Sequence, residues 1–373
     1  MKRVLVTGGY NIGSAGVATI VYNWGQNFDS SKIVYDYLMQ RGLPQKHYLE
    51  KIQEKGGKIH TLSKRNKNAI GIIKWITQIV KDNNYDILHI NTDTAYIAAA
   101  YIYAAKKGGV KKIFVHSHST QIDETDIWKR MIKNLLHRLC RAYVKSNSLL
   151  YLACSEPAGE WMFGKKGICS SKYRFIYNGV RLEDYSFKSE VRVIMRKELG
   201  IGDELVLGNV GRLAYQKNHM FLLEIFEGIY RMHKNCKLIL VGSGPLENEL
   251  KEKAKRMGIE KSIMFLGIRN DIAQILQAMD VFVMPSKFEG LPVTLVEAQA
   301  SSLPCVISNV ITQEVKFTDY VKSVDLTEPV EVWCKVIEDA CKMKRNANVN
   351  QLEISPFNIK NASLELQQVF LQE

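Results

Sequence analysis

The sequence predicts an α/β protein of two Rossmann-like, doubly wound domains, each a parallel sheet with crossover helices, facing each other across a cleft. Three observations carry this expectation. Short apolar, β-branched runs alternate with longer helical patterns through both halves of the chain. At 373 residues the chain is too long for one comfortable hydrophobic core and suits two domains of ordinary size. A polar stretch from Arg181 to Ser189, just after Tyr177-Asn-Gly-Val180, interrupts the alternation near the middle. Ligands of such sheets bind beyond the carboxyl ends of the strands, so two facing sheets imply a ligand cleft between them.

The elements follow in order. Apolar runs at 3–7, 33–37, 58–61, 87–90, 112–115, 149–153 and 174–176 read as the strands of the first domain, with a helical pattern at 15–26 after the first of them. A new helix at 190–199 opens the second half. Strands at 206–210, 237–241, 263–266, 281–284 and 304–307 then alternate with helices at 220–232, 246–257, 272–278 and 295–301. The expected division is residues 1–185 and 186–354. The segment 355–373 has a proline followed by an amphipathic pattern, which suits a helix packing back on the first domain.

Composition narrows the function classes. No apolar run reaches membrane-spanning length, and the basic opening MKRVLVTGG turns to glycine too early for a signal peptide, so a cytoplasmic location is expected. Seven scattered cysteines without a Cys-x-x-Cys pair read as reduced thiols rather than staples or metal ligands. The net charge of +13 is uneven: residues 1–185 carry 28 Lys/Arg against 14 Asp/Glu, and the remainder 23 against 24. A cationic field on the first half alone suggests an anionic partner there: nucleic acid, an anionic lipid surface or a phosphorylated substrate. The segment 129–145 concentrates it, with six Lys/Arg, no acid, and Met131, Ile132, Leu135, Leu136 and Leu139 at helical spacing. Such a helix can lie on an anionic membrane, or pack its apolar stripe and leave a solvated cationic face.

The most informative motif is Phe288-Glu-Gly-Leu-Pro-Val-Thr-Leu-Val-Glu297-Ala. Gly290 loosens the backbone, Pro292 suits a first helical position, and the apolar residues that follow need a helix to share one face. Glu289 then sits on a loop and Glu297 about one turn inside the helix. Between them the unbonded N–H groups of the helix start form an anion site flanked by two acceptors for hydroxyl groups. A ligand with phosphates in its middle and polyols at both ends, such as a nucleotide sugar, matches this arrangement. Helix capping and solvation are the plain alternatives, and paired carboxylates also occur in glycoside hydrolysis.

Other strand ends add candidates. In Val210-Gly211-Arg212-Leu-Ala-Tyr-Gln-Lys217, a loop can turn Arg212 and Lys217 toward one diphosphate, unless both are ordinary surface charges. Gly242 in Val241-Gly-Ser-Gly-Pro-Leu246 and Arg269 in Phe265-Leu-Gly-Ile-Arg-Asn-Asp271 mark further turns that suit a base or ribose. The first-domain turn Thr7-Gly-Gly-Tyr-Asn-Ile-Gly-Ser-Ala-Gly16 fits neither the dinucleotide fingerprint nor a Walker A loop, and is either a phosphate turn or a plain one. His116 and His118, in Phe114-Val-His-Ser-His-Ser119, alternate at a strand end and point the same way. With no third ligand apparent they suit hydrogen bonding to substrate better than metal.

The ordered set GGYNIGSAG, VHSHS, YNGV, GRLAYQKN, VGSGPL, FLGIRND and EGLPVTLVEA resembles the retaining glycosyltransferases of GT-B fold called family 4, or group 1. It spans nearly the whole chain, and Glu289 with Glu297 fits the family's Glu-x7-Glu motif. The resemblance implies a nucleotide-sugar donor, UDP-linked by family habit, held mainly by the second domain. Arg212 and Lys217 would face its diphosphate, Glu289 the sugar hydroxyls and Glu297 the ribose. Backbone amides through Gly290, Leu291, Pro292, Val293, Thr294 and Leu295 would complete the phosphate site, with Gly211, Gly242 and Arg269 around it and Gly16 from the first domain. His118 would lie near the reacting sugar, with His116 its competitor.

The implied reaction retains anomeric configuration by front-face attack, the leaving phosphate helping to take the acceptor proton. No metal, cofactor or nucleic acid is expected. Acceptors in capsule or exopolysaccharide assembly are lipid-linked saccharides or glycans. Acceptor choice is expected in loops 40–48 and 119–128. A sugar-nucleotide epimerase or hydrolase of the same architecture, and a non-catalytic partner subunit, are the competing readings.

Overall fold

The computed structural model describes residues 1–8, 12, 16–39, 43–62, 68–346 and 355–372. The chain divides into two units, Met1–Val180 with Pro356–Glu373, and Arg181–Ser355. The division falls at Val180/Arg181 and not after residue 185. Tyr185, at the end of the 3-10 turn Leu182–Tyr185, bonds through its hydroxyl to Glu297 and through its carbonyl to Gln277, which ties the turn to the second unit. Most of the 8–16 turn and part of the 40–48 loop lie outside the described residues.

The first unit is a seven-stranded parallel sheet: β1 (Lys2–Val6), β2 (Ile33–Met39), β3 (Ile59–Thr61), β4 (Ile87–Thr92), β5 (Lys112–Ser117), β6 (Leu150–Ala153) and β7 (Tyr173–Phe175), in spatial order β3-β2-β1-β4-β5-β6-β7. Val4, Leu5, Ile87, Leu88, Ile113, Phe114 and Val115 are fully buried, as expected of central parallel strands covered on both faces. Helices α1 (Gly16–Asn27), α2 (Lys46–Glu54), α3 (Ala69–Asn83), α4 (Ala95–Gly108), α5 (Ile127–Asn147), α6 (Glu156–Phe163) and α7 (Lys165–Ile168) make the crossovers. β4 and β5 run two residues past their apolar runs, because Asn91 and Thr92 stay in register with His116 and Ser117.

The second unit repeats the scheme with β8 (Leu205–Val210), β9 (Cys236–Val241), β10 (Ile263–Gly267), β11 (Val281–Met284), β12 (Cys305–Ser308) and β13 (Val321–Val324), ordered β10-β9-β8-β11-β12-β13. Its helices are α8 (Ser189–Glu198), α9 (His219–Met232), α10 (Glu247–Arg256), α11 (Ile272–Ala278), α12 (Val293–Ala300) and α13 (Val330–Cys341). β13 escapes the sequence pattern because it is an edge strand whose middle residues, Lys322 and Ser323, are exposed. A final helix, α14 (Ile359–Gln372), belongs to the first unit. Val180 and Phe357 exchange the chain into it by a backbone bond of 2.8 Å, and Phe370 stacks on Phe114 at 5.5 Å. All seven cysteines are free.

Candidate functional site

In the second unit the strand order reverses between β8 and β11, so the chain leaves those two neighbouring strands in opposite directions and opens a crevice at their carboxyl ends. Both of the most informative motifs emerge there. After β8 the chain turns through Gly211 and Arg212 to the 3-10 turn Tyr215–Lys217. After β11 it runs through Glu289 into α12.

The two loops meet at one ion pair. Lys217 Nζ lies 2.8 Å from Glu289 Oε1, with only 13% and 5% of the two side chains exposed. Gln216 donates to the other carboxylate oxygen at 2.9 Å, and the Lys287 N–H donates to the Gln216 carbonyl at 2.8 Å. The Lys287 ammonium also lies 3.9 Å over the Tyr215 ring, so loop is locked to loop by charge, backbone and ring together. A carboxylate has about four lone-pair directions, so Glu289 retains acceptor capacity for a bound hydroxyl.

The loop carrying Lys217 is braced from below. Asn209, in β8, donates from its amide to the Val283 carbonyl of β11 at 2.7 Å and accepts from His219 Nε2 at 3.0 Å. The amide thus spans the switch point and fixes the start of α9. Burial pushes the His219 pKa down to about 3, with the nearby Lys217 charge adding to it, so the ring is neutral.

At α12, Pro292 is the N-cap and not the first helical residue: its carbonyl accepts from Leu295 and Val296, the first intrahelical donors. Val293 and Thr294 therefore open the helix ahead of those bonds, with N–H groups available to an anion. The Thr294 hydroxyl is buried without a hydrogen-bond partner among the described residues. Leu291 and Leu295 are buried under this turn and hold it in place. Glu297, about one turn in, accepts from the Tyr185 hydroxyl at 2.8 Å. Desolvation raises its pKa to about 7, against the Tyr185 bond, which lowers it.

The remaining candidates divide. Gly211 and Gly242 have a packing reason to be glycine: Gly242 has φ +127°, and a Cβ there would lie 2.1 Å from the Gly211 carbonyl oxygen. Gly290 is buried in the Glu289 turn. Arg212 is exposed at the start of its loop, whereas Lys217 is turned inward, so the two cations do not share one environment. Arg269 forks onto Asp271 at 2.8 and 2.5 Å, a local pair that takes up its charge.

In the first unit, Gly16 begins α1, and none of the described residues lies within 4 Å of where its Cβ would be. His116 and His118 do point the same way, their rings stacked at 4.3 Å, with Trp24 stacked on His116 at 5.2 Å. Their environments differ. The buried Tyr35 hydroxyl, whose pKa burial pushes well above the usual range, donates to His89 Nδ1 at 2.5 Å. His89 Nε2 in turn lies 3.2 Å from His116 Nδ1, so His116 ends a sealed internal chain. His118 instead donates from Nε2 to Asn91 at 2.8 Å, leaving Nδ1 a buried acceptor without a partner among the described residues. Desolvation holds the pKa of His89 and His116 well below the ordinary value and that of His118 at about 3, so all three are neutral. Sequence reasoning did not find His89, Trp24, Asn91, Gln216, His219 or Tyr185, because each is defined by a partner distant in the chain.

Two all-parallel units of this topology, the second carrying cation, carboxylates and an open helix start at its switch point, have the GT-B fold of glycosyltransferases. Residues 14–184 match the family described as Glycosyltransferase Family 4, and residues 191–344 that described as Glycosyl transferases group 1; the chain belongs to this glycosyltransferase family. It is 34% identical over 351 residues to EpsF of Bacillus subtilis (strain 168), which carries a provisional glycosyltransferase name; the match covers 92% of this chain and 89% of that one. It is 30% identical over 254 residues, 67% of this chain and 63% of the other, to the Escherichia coli UDP-Gal:alpha-D-GlcNAc-diphosphoundecaprenol alpha-1,3-galactosyltransferase. The crystal structure of Anabaena HepE in complex with UDP and glucose covers 100% of both chains with a TM-score of 0.79 at 17% identity, a likeness of fold.

Proposed function

We propose that this glycosyltransferase moves a hexose-type sugar, with retention of anomeric configuration and without a metal ion, from a UDP-sugar to a lipid-linked or polysaccharide acceptor in surface-polysaccharide assembly. The observation that carries the donor reading is the start of α12. Its open N–H groups and the unpartnered Thr294 hydroxyl lie between Glu289 and Glu297, each carboxylate already oriented by a second side chain. The diphosphate takes the helix start, Glu297 the ribose hydroxyls and Glu289 the sugar hydroxyls. The names of the E. coli relative and the HepE complex support UDP as carrier, and the former supports a diphosphate-lipid acceptor.

Bond cleavage at the anomeric carbon develops negative charge on the diphosphate and positive charge on the sugar. Lys217, Arg212 and the helix amides stabilise the first, which is where preorganised dipoles and charges act most strongly. His118, neutral, offers its bare Nδ1 to a sugar hydroxyl and not a proton to the reaction. The leaving phosphate takes the acceptor proton. The cationic first unit serves an acceptor held at the inner face of an anionic membrane.

The test is thermal unfolding in the presence of nucleotides. A UDP-sugar at 100 times its Kd is expected to stabilise the protein by about 2.7 kcal/mol. Product analysis with a diphosphate-lipid acceptor should then show the anomeric configuration kept, with EDTA leaving the rate unchanged. Absence of stabilisation by every nucleoside diphosphate sugar would remove the donor reading. An epimerised or hydrolysed donor formed at full rate without acceptor would replace transfer by a different reaction.

A further inference from the structure

Helix α5 is turned inside out for a helix in contact with water. Its inward side carries polar anchors beside Val144 and Cys140, which pack on the core: His137 accepts the Ala95 N–H at 3.0 Å and lies 2.9 Å from the Trp161 carbonyl, and Arg141 donates to the Glu160 carbonyl at 3.1 Å, while Lys133, on the flank, pairs with Glu124 at 2.7 Å. Its outward side is apolar. Trp128 is 71% exposed, Met131 57%, Ile132 60%, Leu135 58% and Leu139 67%. A helix of a water-borne domain puts such a stripe against the core. Here the stripe runs along about 17 Å of helix, taking 1.5 Å per residue, with none of the described residues laid over it. The alternative that the stripe packs is thereby reversed, with Arg141 engaged in the fold instead.

We infer that this face of α5 is a membrane-docking surface, the helix lying along an anionic bilayer with its apolar stripe sunk to the headgroup–acyl boundary. Charge decides the occupant. α5 carries no Asp or Glu, and Lys129 and Arg138 are exposed beside the stripe. The half of the chain that contains it has 28 Lys/Arg against 14 Asp/Glu. A second copy docked face to face would bring two acid-free cationic helices together, whereas an anionic leaflet offsets them. Among the described residues no helix is long and apolar enough to cross a membrane, so the contact is one of lying on the surface. This sharpens the membrane part of the proposed function, yet vesicle binding needs neither donor nor acceptor, so its failure and that of the transfer reading are separable.

The test is co-sedimentation of the full chain with phosphatidylglycerol–phosphatidylcholine vesicles and with pure phosphatidylcholine vesicles. Trp128 fluorescence is read with brominated lipid. The protein is expected to pellet with the anionic vesicles at low salt, to release with rising salt, and to show Trp128 quenching that Trp128→Phe abolishes. Leu135→Ser/Leu139→Ser should lose at least tenfold in partitioning. Lys129→Gln/Arg138→Gln should lose roughly 25-fold, about fivefold per cation near such a surface. All four side chains are solvent-facing, so thermal unfolding should be unchanged. Should a variant unfold early, quenching of the unaltered chain still decides. Failure of the unaltered chain to bind, equal binding by both variants, or a lipid-independent dimer dissolved by the leucine pair would each overturn the assignment.

Discussion

Lys217 and Glu289 give the sharpest test of the proposed site, because the same buried pair joins two loops of the fold and carries the proposed chemistry. Lys217→Met leaves the Glu289 carboxylate, 5% exposed, without its cation, and Glu289→Gln leaves the ammonium without its anion. Removing one partner of a buried pair costs about 3–5 kcal/mol, whereas replacing both by neutral groups of similar volume is close to neutral. For a unit of this size the single changes should lower the melting temperature of the second unit by roughly 10 °C. The double variant Lys217→Met/Glu289→Gln should recover most of that loss. Turnover should behave otherwise: each single and the double should all fall at least 100-fold, since loss of one preorganised electrostatic contact to developing charge costs on the order of 100- to 1,000-fold. Calorimetry of the four proteins, with donor turnover measured well below each melting point, separates the roles. If the double variant regains turnover along with stability, the pair only braces the two loops and the catalytic assignment fails.

Three further outcomes follow from the same geometry. Donor affinity should tighten as pH rises through about 7, where Glu297 ionises and becomes a full acceptor for ribose hydroxyls; Tyr185→Phe, removing a bond worth about 1 kcal/mol to the ionised form, should move that midpoint up by roughly 0.7 pH unit, and donor titrations from pH 6 to 9 with an unmoved midpoint would contradict it. The raised Glu297 pKa also means that its contribution to stability is full below the unfolded carboxyl value and is lost as pH rises through about 7. The buried histidines act in the opposite direction: His89, His116 and His118 have folded pKa values below the unfolded 6.5, so stability is kept above that pH and should fall by about 1.4 kcal/mol per histidine on acidifying to pH 5.5, visible as early acid unfolding of the first unit that His116→Phe moderates. Gly16→Ala meets none of the described residues at its helix start and should leave thermal unfolding unchanged, so that any weakening of donor binding reads a ligand contact directly; unchanged binding would remove Gly16 from the proposed site.

What the sequence made legible was local. Continuous apolar runs between helical patterns identify twelve of the thirteen strands among the described residues, since central parallel strands need apolar side chains on both faces. The exception, β13, is an edge strand with Lys322 and Ser323 outward and so has no such run. Glu289 and Glu297 were legible because glycine, proline and helical periodicity fix their separation across one turn. Tyr185 and Gln216 were not, since each is defined by a carboxylate 112 and 73 residues away. The same limit explains the division point, which the polar stretch blurred and the Tyr185–Glu297 bond sharpens. It also explains α5: periodicity reveals two faces but not which one meets the fold, and only the bonds of His137 and Arg141 and the burial of Val144 show that the Met131–Leu135–Leu139 stripe is turned away from it.

The two units use one device at their switch points and load it differently. In each, an asparagine on a central strand donates to a backbone carbonyl across the reversal and presents its oxygen to a histidine: Asn91 to Thr7 and His118, Asn209 to Val283 and His219. With the amide nitrogen committed to a carbonyl, its oxygen must accept, so the histidine proton is held at Nε2 and Nδ1 is left bare. Burial then keeps both rings neutral, each with a pKa of about 3. In the second unit this neutral brace stands two residues from Lys217 and keeps a further positive charge away from the lysine that pairs with Glu289. The Nδ1 atoms of both rings, His118 and His219, are buried without a hydrogen-bond partner among the described residues. The fold thus supplies the same rigid amide–imidazole joint twice, and in the second unit the joint fixes the start of α9, directly after the turn that carries Lys217.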